Sequence, residues 1–185
     1  MRRIHDSRIL VAGAGALGNE VIKDLALAGF GNIVVADPDI IEESNLSRCV
    51  LFRDGDIGRN KAEVAASRAK DLYPGCATCA EPRRIQQIDL SGFDVFIGCL
   101  DSISARLHLN SFAMYHHVPY VDGATDGFRG KMQVILSDGP CMECGINRTH
   151  INELHRTFSC DPSKSQREVD PVTLSSGITT TSIIA

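Results

Sequence analysis

RILVAGAGALGNEVIKDLALAGFGNIVVAD, residues 8 to 37, is the stretch from which the fold is read. Ile9, Leu10, Val11 and Ala12 form a short apolar run of the kind that suits a strand buried on both faces. Gly13, Gly15 and Gly18 follow as G-x-G-x-x-G. Val21, Ile22, Leu25 and Ala28 then recur at helical spacing and predict the buried face of a helix closed by Gly29 and Gly31. Ile33, Val34 and Val35 make a second apolar run, ending on Asp37, nineteen residues after Gly18. A glycine motif alone is a weak signal. Placed between two strands and opening a helix, in a β-α-β unit of about thirty residues, it is a strong one. The glycines let backbone N–H groups approach phosphate, and the helix N-terminus adds partial positive charge. A carboxylate at the end of the second strand, here Asp37, is placed to accept from ribose hydroxyls.

Working outward, 185 residues suffice for one domain with a sizeable core. Apolar residues make up 43%, the formal net charge is -4 and the pI is about 5.8. That balance gives no reason to expect nucleic acid or an anionic membrane as partner. No apolar run approaches the roughly twenty residues of a membrane span. The N-terminus, MRRIHDSRILV, leads straight into the first strand and leaves no room for a signal peptide, so a cytoplasmic location is expected. Seven cysteines, an odd count in an α/β chain, read as reduced thiols, metal ligands or a nucleophile.

The rest of the chain extends the α/β pattern. DPDIIEESNLS, residues 37 to 47, is a polar loop beyond the second strand, where ligands of doubly wound sheets bind. Residues 61 to 72 predict an alanine-rich helix with Val64, Ala65, Arg68 and Leu72 at helical spacing, broken by Pro74-Gly75. Residues 78 to 88 predict an irregular strand, 93 to 100 a buried one, and 103 to 115 a helix with Leu107, Phe112 and Met114 apolar. Tyr120-Val121 and residues 131 to 136 predict two strands paired antiparallel across a tight turn. The expected fold is α/β and Rossmann-like: a mostly parallel sheet, helices on both faces and an antiparallel extension. Residues 145 to 171 are polar and predict a mobile loop. TLSSGITTTSIIA, residues 173 to 185, begins a helical pattern without a closing cap, and the chain is expected to be truncated there.

Several residues outside the glycine motif belong to phosphate chemistry. Arg48 and Lys61 flank CVLFRDGDIGRN, and Asp101 follows a second strand end. Phosphate calls for cations and a carboxylate that holds a bridging metal. With these residues in view, six blocks fall in order: GAGALGNEVIKDLALAGFGNI, DPDIIEESNLSRCVLF, DIGRNKAEVAA, CLDSISAR, VDGATDGFRGKMQVI and CMEC. In them, residues 7 to 185 resemble the ubiquitin-activating enzyme and MoeB-ThiF-HesA superfamily. VDGATDGFRGKMQVI followed by CMEC looks closer to the Cys-bearing subunits of eukaryotic activating enzymes than to bacterial sulfur-carrier enzymes. The resemblance implies one adenylation domain, residues 1 to 185. It would activate the C-terminal glycine of a ubiquitin-like protein with ATP and magnesium. It further implies that Gly13, Gly15, Gly18 and Asp37 hold the nucleotide, with Asp39 a weaker ribose candidate. Asn45, Arg48 and Lys61 would contact phosphates, and Asp101 would hold magnesium. A carboxylate attacking the α-phosphate approaches a polyanion, so Arg48, Lys61 and magnesium would stabilise the developing charge without any general base. A ubiquitin-like protein ending in Gly-Gly, a conjugating enzyme and a homo- or heterodimeric partner are the implied partners.

Cys141 and Cys144, as C-x-x-C, read as half of a four-thiolate zinc site. The resemblance places the other pair past Ala185. Cys76 with Cys79, or His150 with His155, are alternatives within the chain. Cys160, in FSCDPS, stands where relatives that pass the acyl group to a thiol carry their cysteine, with His155 and Arg156 near in sequence to favour its thiolate. Cys49 stands where many relatives have glutamine, and Cys99 is expected in the core. Only seven residues precede Arg8, so Arg2 or Arg3, or another subunit, would supply the arginine that relatives lend across a dimer. Three readings compete: activation with thioester transfer, sulfur-carrier adenylation of the MoeB/ThiF type, and NAD-dependent oxidoreduction. The last shares the glycines and Asp37 but leaves Lys61, Asp101 and C-x-x-C without a role. A non-catalytic partner subunit would not need Asp37, Arg48, Lys61 and Asp101 together.

Overall fold

The computed structural model describes residues 2–126 and 129–145. The chain runs α1 (Arg2–Asp6), β1 (Arg8–Ala12), α2 (Ala16–Leu27), β2 (Asn32–Ala36), α3 (Lys61–Leu72), β3 (Ala77–Glu81), β4 (Val95–Gly98), α4 (Ile103–His116), β5 (Tyr120–Asp126) and β6 (Arg129–Ile135). The strands form one sheet in the order β3-β2-β1-β4-β5-β6. Five are parallel, and β6 alone runs antiparallel, pairing with β5 from Tyr120↔Ile135 to Asp126↔Arg129. The mostly parallel sheet with an antiparallel extension is therefore the one expected. No helix among the described residues is long and apolar enough to cross a membrane.

The period-two alternation of each central strand divides the core into two layers. Ile9, Val11, Ile33 and Val35 face α2 and α3, whose Val21, Ile22, Ala26, Ala62, Ala65 and Ala69 are buried with them. Leu10, Ala12, Val34, Ala36 and Phe96 face the other way, onto Leu109 and Ala113 of α4 and onto Phe93 from the preceding loop. Helices thus cover both faces. Because β1 and β2 are buried on both sides, both of their alternating sets must be apolar, which is the origin of the continuous runs in the sequence.

Four details differ from expectation. Ala26, not Ala28, completes the buried face of α2. Ala28 is exposed and, with Leu25, lines a cavity of about 250 Å³ between α2 and Ile97, Val121 and Met132. Leu72, at the end of α3, is likewise 42% exposed. β3 is a regular five-residue strand paired from Ala77 to Glu81 with β2, but it is an edge strand whose side chains are exposed or half-buried, so its sequence lacks an apolar run. The hairpin strands are also longer than Tyr120-Val121 and residues 131 to 136 imply.

Candidate functional site

The strand order reverses at β1, which lies between β2 and β4. At such a switch point, the loops beyond the strand carboxyl ends diverge and open a crevice. Three segments meet there: the glycine turn after β1, residues 37 to 61 after β2, and residues 99 to 102 after β4.

The glycine turn is shaped by close approach. Gly13 has φ +99°, and a Cβ there would lie 2.4 Å from the carbonyl oxygen of Cys99. A Cβ on Gly18 would lie 2.0 Å from the carbonyl oxygen of Gly13. Gly15 differs, because a Cβ there would meet nothing within 4 Å. It occupies the N-cap of α2 and provides no side-chain cap, so the first turn of a twelve-residue helix faces open space. That is the arrangement in which N–H groups and helix dipole receive an anion.

Backbone and side chains fix this turn on every side. The Gly13 N–H donates to the Ala36 carbonyl at 2.8 Å, and the Cys99 N–H to the Ala12 carbonyl at 2.7 Å. Asp37 Oδ2 accepts the Ala14 N–H at 2.7 Å, and its Oδ1 accepts the Asp39 N–H at 2.9 Å. Asn19 and Asn60, neither of which stands out in the sequence, complete the frame. Asn19 Nδ2 donates to the carbonyls of Ala14 and Gly15, and its Oδ1 accepts the Leu51 N–H. Asn60 caps α3 by accepting the Glu63 N–H at 3.1 Å, while its Nδ2 donates to the carbonyls of Asp37 and Asp39. Asn60 directly precedes a helical pattern, which is the local mark of a cap, whereas Asn19 lies inside α2 and carries no such mark.

Lys61 follows that cap directly. Its Nζ lies 3.2 Å from Asp39 Oδ2, with the lysine side chain 13% exposed and the aspartate 53%. Burial pushes the Asp37 carboxyl above its ordinary range, against the Lys61 charge and the two N–H donors, which pull it down. At Asp101, loss of hydration comes first and also raises the carboxyl; Asp39 adds to the rise and Lys61 opposes it. Lys61 therefore shares its charge among Asp37, Asp39 and Asp101, and the structure brings these four residues together at the glycine turn. Ser102, next to Asp101, caps α4 through its hydroxyl.

Asn45 and Arg48 belong to the same polar loop. Asn45 is 7% exposed, and its Oδ1 accepts the Glu42 N–H at 3.1 Å, so in this conformation its side chain shapes the loop. Its carbonyl accepts from the Arg48 and Cys49 N–H groups, and the Arg48 guanidinium donates to the Ser44 carbonyl at 2.7 Å.

On the far side of α4, Cys141 and Cys144 flank a tight turn, their sulfurs 3.7 Å apart. Two thiolates on one tetrahedral zinc, at about 2.3 Å each, would stand about 3.8 Å apart, so the pair fits half a site. Burial pushes the Cys141 thiol up, but N–H groups from Cys144 and Glu143 outweigh it and the net shift is downward. The Met142 N–H donates to Asn110 Oδ1, which anchors the turn to α4. Among the described residues, no three His, Cys, Asp or Glu converge on a metal, so Cys76 and Cys79 do not complete the pair. Cys76 is buried next to β3 and Cys79 is exposed on it. Cys49 is 3% exposed, and the half-buried Cys99 faces the α2 core. His150, His155, Arg156 and Cys160 lie outside the described residues.

The chain is similar to known proteins along most of its length. The ThiF family pattern matches residues 1–184. The NEDD8-activating enzyme E1 catalytic subunit of Dictyostelium discoideum is 41% identical over 160 residues, covering 77% of this chain and 36% of that protein. The SAMP-activating enzyme E1 of Haloferax volcanii is 36% identical over 146 residues, covering 77% of this chain and 54% of that one. The chain thus spans between a third and about half of these relatives. Among solved structures, E. coli MccB with AMPCPP and MccA superposes with a TM-score of 0.77 at 22% identity, covering 99% of this chain and 53% of that chain, which establishes a shared fold. With the glycine turn, the strand order and the six sequence blocks all in agreement, the chain belongs to the ThiF family.

Proposed function

We propose that this chain is the adenylation domain of an activating enzyme for a ubiquitin-like protein, and that the activated carboxyl passes to a thiol of the same protein. The observation that carries the reading is the convergence of an uncapped helix N-terminus with Lys61, Asp39 and Asp101 at one crevice. The named activities of the Dictyostelium and Haloferax relatives support it.

In the reaction, a C-terminal glycine carboxylate oxygen attacks the α-phosphorus of ATP. The bond from that phosphorus to the bridging oxygen breaks, and pyrophosphate leaves. The nucleophile is already ionised, so the protein orients and neutralises rather than moving a proton. The glycine turn receives phosphate on the N–H groups of α2. Lys61, released from Asp39 when nucleotide enters, and Arg48, swinging off the Ser44 carbonyl, offset negative charge that develops in the transition state. Asp39, half exposed, accepts from the ribose, while Asp37 keeps both oxygens on the backbone and holds the turn. Asp101 would hold magnesium, which supplies charge stabilisation on the phosphates. Asn45 would donate to phosphate through Nδ2, which in this conformation donates to Ser44 Oγ at 3.4 Å, while its Oδ1 stays on the Glu42 N–H.

In the second step, a thiolate attacks the acyl carbon, the mixed anhydride opens and AMP leaves. Cys160 is the proposed nucleophile, with a conjugating enzyme as the next acceptor and a second subunit as dimer partner. Cys141 and Cys144 would hold zinc as a structural site. If adenylate accumulates and no thiol adduct forms, a MoeB/ThiF-type reaction on a sulfur carrier replaces the second step.

The test is ATP–pyrophosphate exchange by the full-length protein with candidate carriers ending in Gly-Gly. Carrier-dependent exchange that is lost in Asp101→Ala and Lys61→Ala is expected. Exchange at the wild-type rate in both variants, or calorimetric binding of NAD in place of ATP, overturns the reading.

A further inference from the structure

Asn19 is 0% exposed and sits in the first turns of α2, directly after the last glycine of the motif. All of its side-chain hydrogen-bonding groups are engaged. Nδ2 donates to the Ala14 carbonyl at 2.7 Å and the Gly15 carbonyl at 3.0 Å, and Oδ1 accepts the Leu51 N–H at 2.9 Å. Ala14 is therefore held at both ends of its residue: its N–H by Asp37, its carbonyl by Asn19. Leu51 lies three residues beyond Arg48 and is itself 5% exposed. The Arg48 and Cys49 N–H groups both donate to the Asn45 carbonyl, and the Phe52 N–H donates to the Cys49 carbonyl at 3.2 Å, so two successive turns brace residues 45 to 52.

We infer that Asn19 is a positioning residue that couples the phosphate-facing glycine turn to the loop carrying Arg48, through its bonds to Ala14, Gly15 and Leu51. The inference rests on the adenylation reading for its consequence in catalysis, but not for the coupling itself. The physical reason is that a buried amide with three good partners has no alternative arrangement. If either segment moves, a carbonyl or an N–H is left in the core without a partner, which is strongly unfavourable. The glycine turn and the arginine loop therefore hold one relative position before nucleotide arrives. A phosphate seated on the turn then meets a loop whose backbone stands at a fixed distance, so that only the Arg48 guanidinium has to turn, off the Ser44 carbonyl. Asn19 touches neither phosphate nor carrier, so its effect passes through Arg48.

A double-mutant cycle reads this. In the full chain, Asn19→Ser keeps a small polar group but cannot span the three partners. It should lower kcat/KM for ATP in pyrophosphate exchange by about tenfold with Arg48 present, and by less than about threefold in the Arg48→Ala background. Equal losses in both backgrounds would make Asn19 a purely structural residue and overturn the coupling. Asn19→Asp preserves size and the acceptor for Leu51 while removing both donations to the glycine turn; it serves if the serine variant does not fold, with the same non-additivity expected. Amide hydrogen exchange needs no activity. Loss of protection at Arg48, Cys49 and Leu51 together in either variant supports the coupling, and unchanged protection at Arg48 and Cys49 overturns it. A wild-type chain that exchanges no pyrophosphate with any carrier would sink the adenylation reading instead, leaving hydrogen exchange to decide the coupling.

Discussion

Asp37 Oδ2 accepts the backbone N–H of Ala14 at 2.7 Å, which ties the end of β2 to the glycine turn after β1. The other oxygen takes the Asp39 N–H, and the residue is 6% exposed. On the function proposed above, Asp37 holds the turn and Asp39 takes the ribose, dividing the work that one acidic residue does in the general dinucleotide-binding motif. Asp37→Ala should destabilise the chain by about 1–3 kcal/mol, since it leaves the Ala14 N–H without its acceptor. Asp39→Ala should keep its unfolding midpoint and weaken ATP binding by about tenfold. Urea unfolding and calorimetry on the pair check this, and the opposite pattern would return the ribose to Asp37.

The same burial sets a pH dependence. The folded-state pKa of Asp37 is raised, with loss of hydration the largest cause. A raised acid pKa means the folded chain keeps this proton after the unfolded chain has released it. Stability from this group is then greatest below the unfolded value and falls as pH rises through the folded one. Asp37→Asn removes that contribution. The stability of wild type relative to Asp37→Asn should therefore increase as pH is lowered toward 4 in urea titrations. A relative stability that fell on acidification would contradict the sign.

These two carboxylates show where the sequence was legible and where it was not. Ile9 to Val11 and Ile33 to Val35 read as buried strands because a parallel central strand must be apolar on both faces, and β1 and β2 are its clearest instances. Strand order left no local mark, since the pairing of β1 with β4 joins residues more than eighty positions apart. The glycine motif was visible because only glycine tolerates the approach to Cys99 and to the Gly13 carbonyl. Asn19 carries no such mark, because its role shows only through partners that include an amide thirty-two residues away, and Asn60 shows in the sequence only as a possible cap, not as a donor to the Asp37 carbonyl. Helical spacing alone puts Ala28 on the buried face of α2, but the sheet does not fill the space beside the last turn of that helix.

Arg106 and Asp122 make a second test of packing near the site. The guanidinium is bidentate, Nε to Oδ1 at 3.0 Å and Nη2 to Oδ2, and the Tyr120 hydroxyl donates to Oδ1 at 2.7 Å. Asp122 is 2% exposed, and the Arg106 side chain 18%. Asp122→Ala leaves a mostly buried cation and a phenol without their acceptor, with an expected loss of about 3–5 kcal/mol. Arg106→Met combined with Asp122→Leu should recover most of it, because the pair's desolvation is removed along with its attraction. Equilibrium unfolding measures both; a loss below about 1 kcal/mol in Asp122→Ala would show the pair to be replaceable by water.

The sulfur separation of 3.7 Å at Cys141 and Cys144 predicts zinc in the full-length protein. Metal analysis should find about one zinc per chain, lost in Cys141→Ser. Because the ligands are thiolates, chelation should become easier as pH falls. A full-length protein that is folded, active and free of zinc would leave the two cysteines as plain thiols.

The cysteines of the described residues narrow the choice of acceptor for the activated carboxyl. Attack needs a thiolate that an acyl group can reach. Cys49 is 3% exposed, which removes it as a ready alternative. Burial, with the Asp122 charge adding to it, pushes the Cys99 thiol up to about 12, so it stays protonated at neutral pH. Burial raises Cys76 as well. Cys79 lies on the edge strand β3, on the side of β2 away from the switch point, and Cys141 and Cys144, 3.7 Å apart, are the pair proposed to hold zinc. Cys160, which lies outside the described residues, is the acceptor proposed above. Cys160→Ala should keep carrier-dependent pyrophosphate exchange, because adenylation uses no thiol, and should lose the thiol-sensitive carrier adduct on non-reducing gels. Cys49→Ala should keep both. An adduct that survives in Cys160→Ala would move the acceptor to Cys79 or to the C-x-x-C pair, which single serine substitutions would then separate.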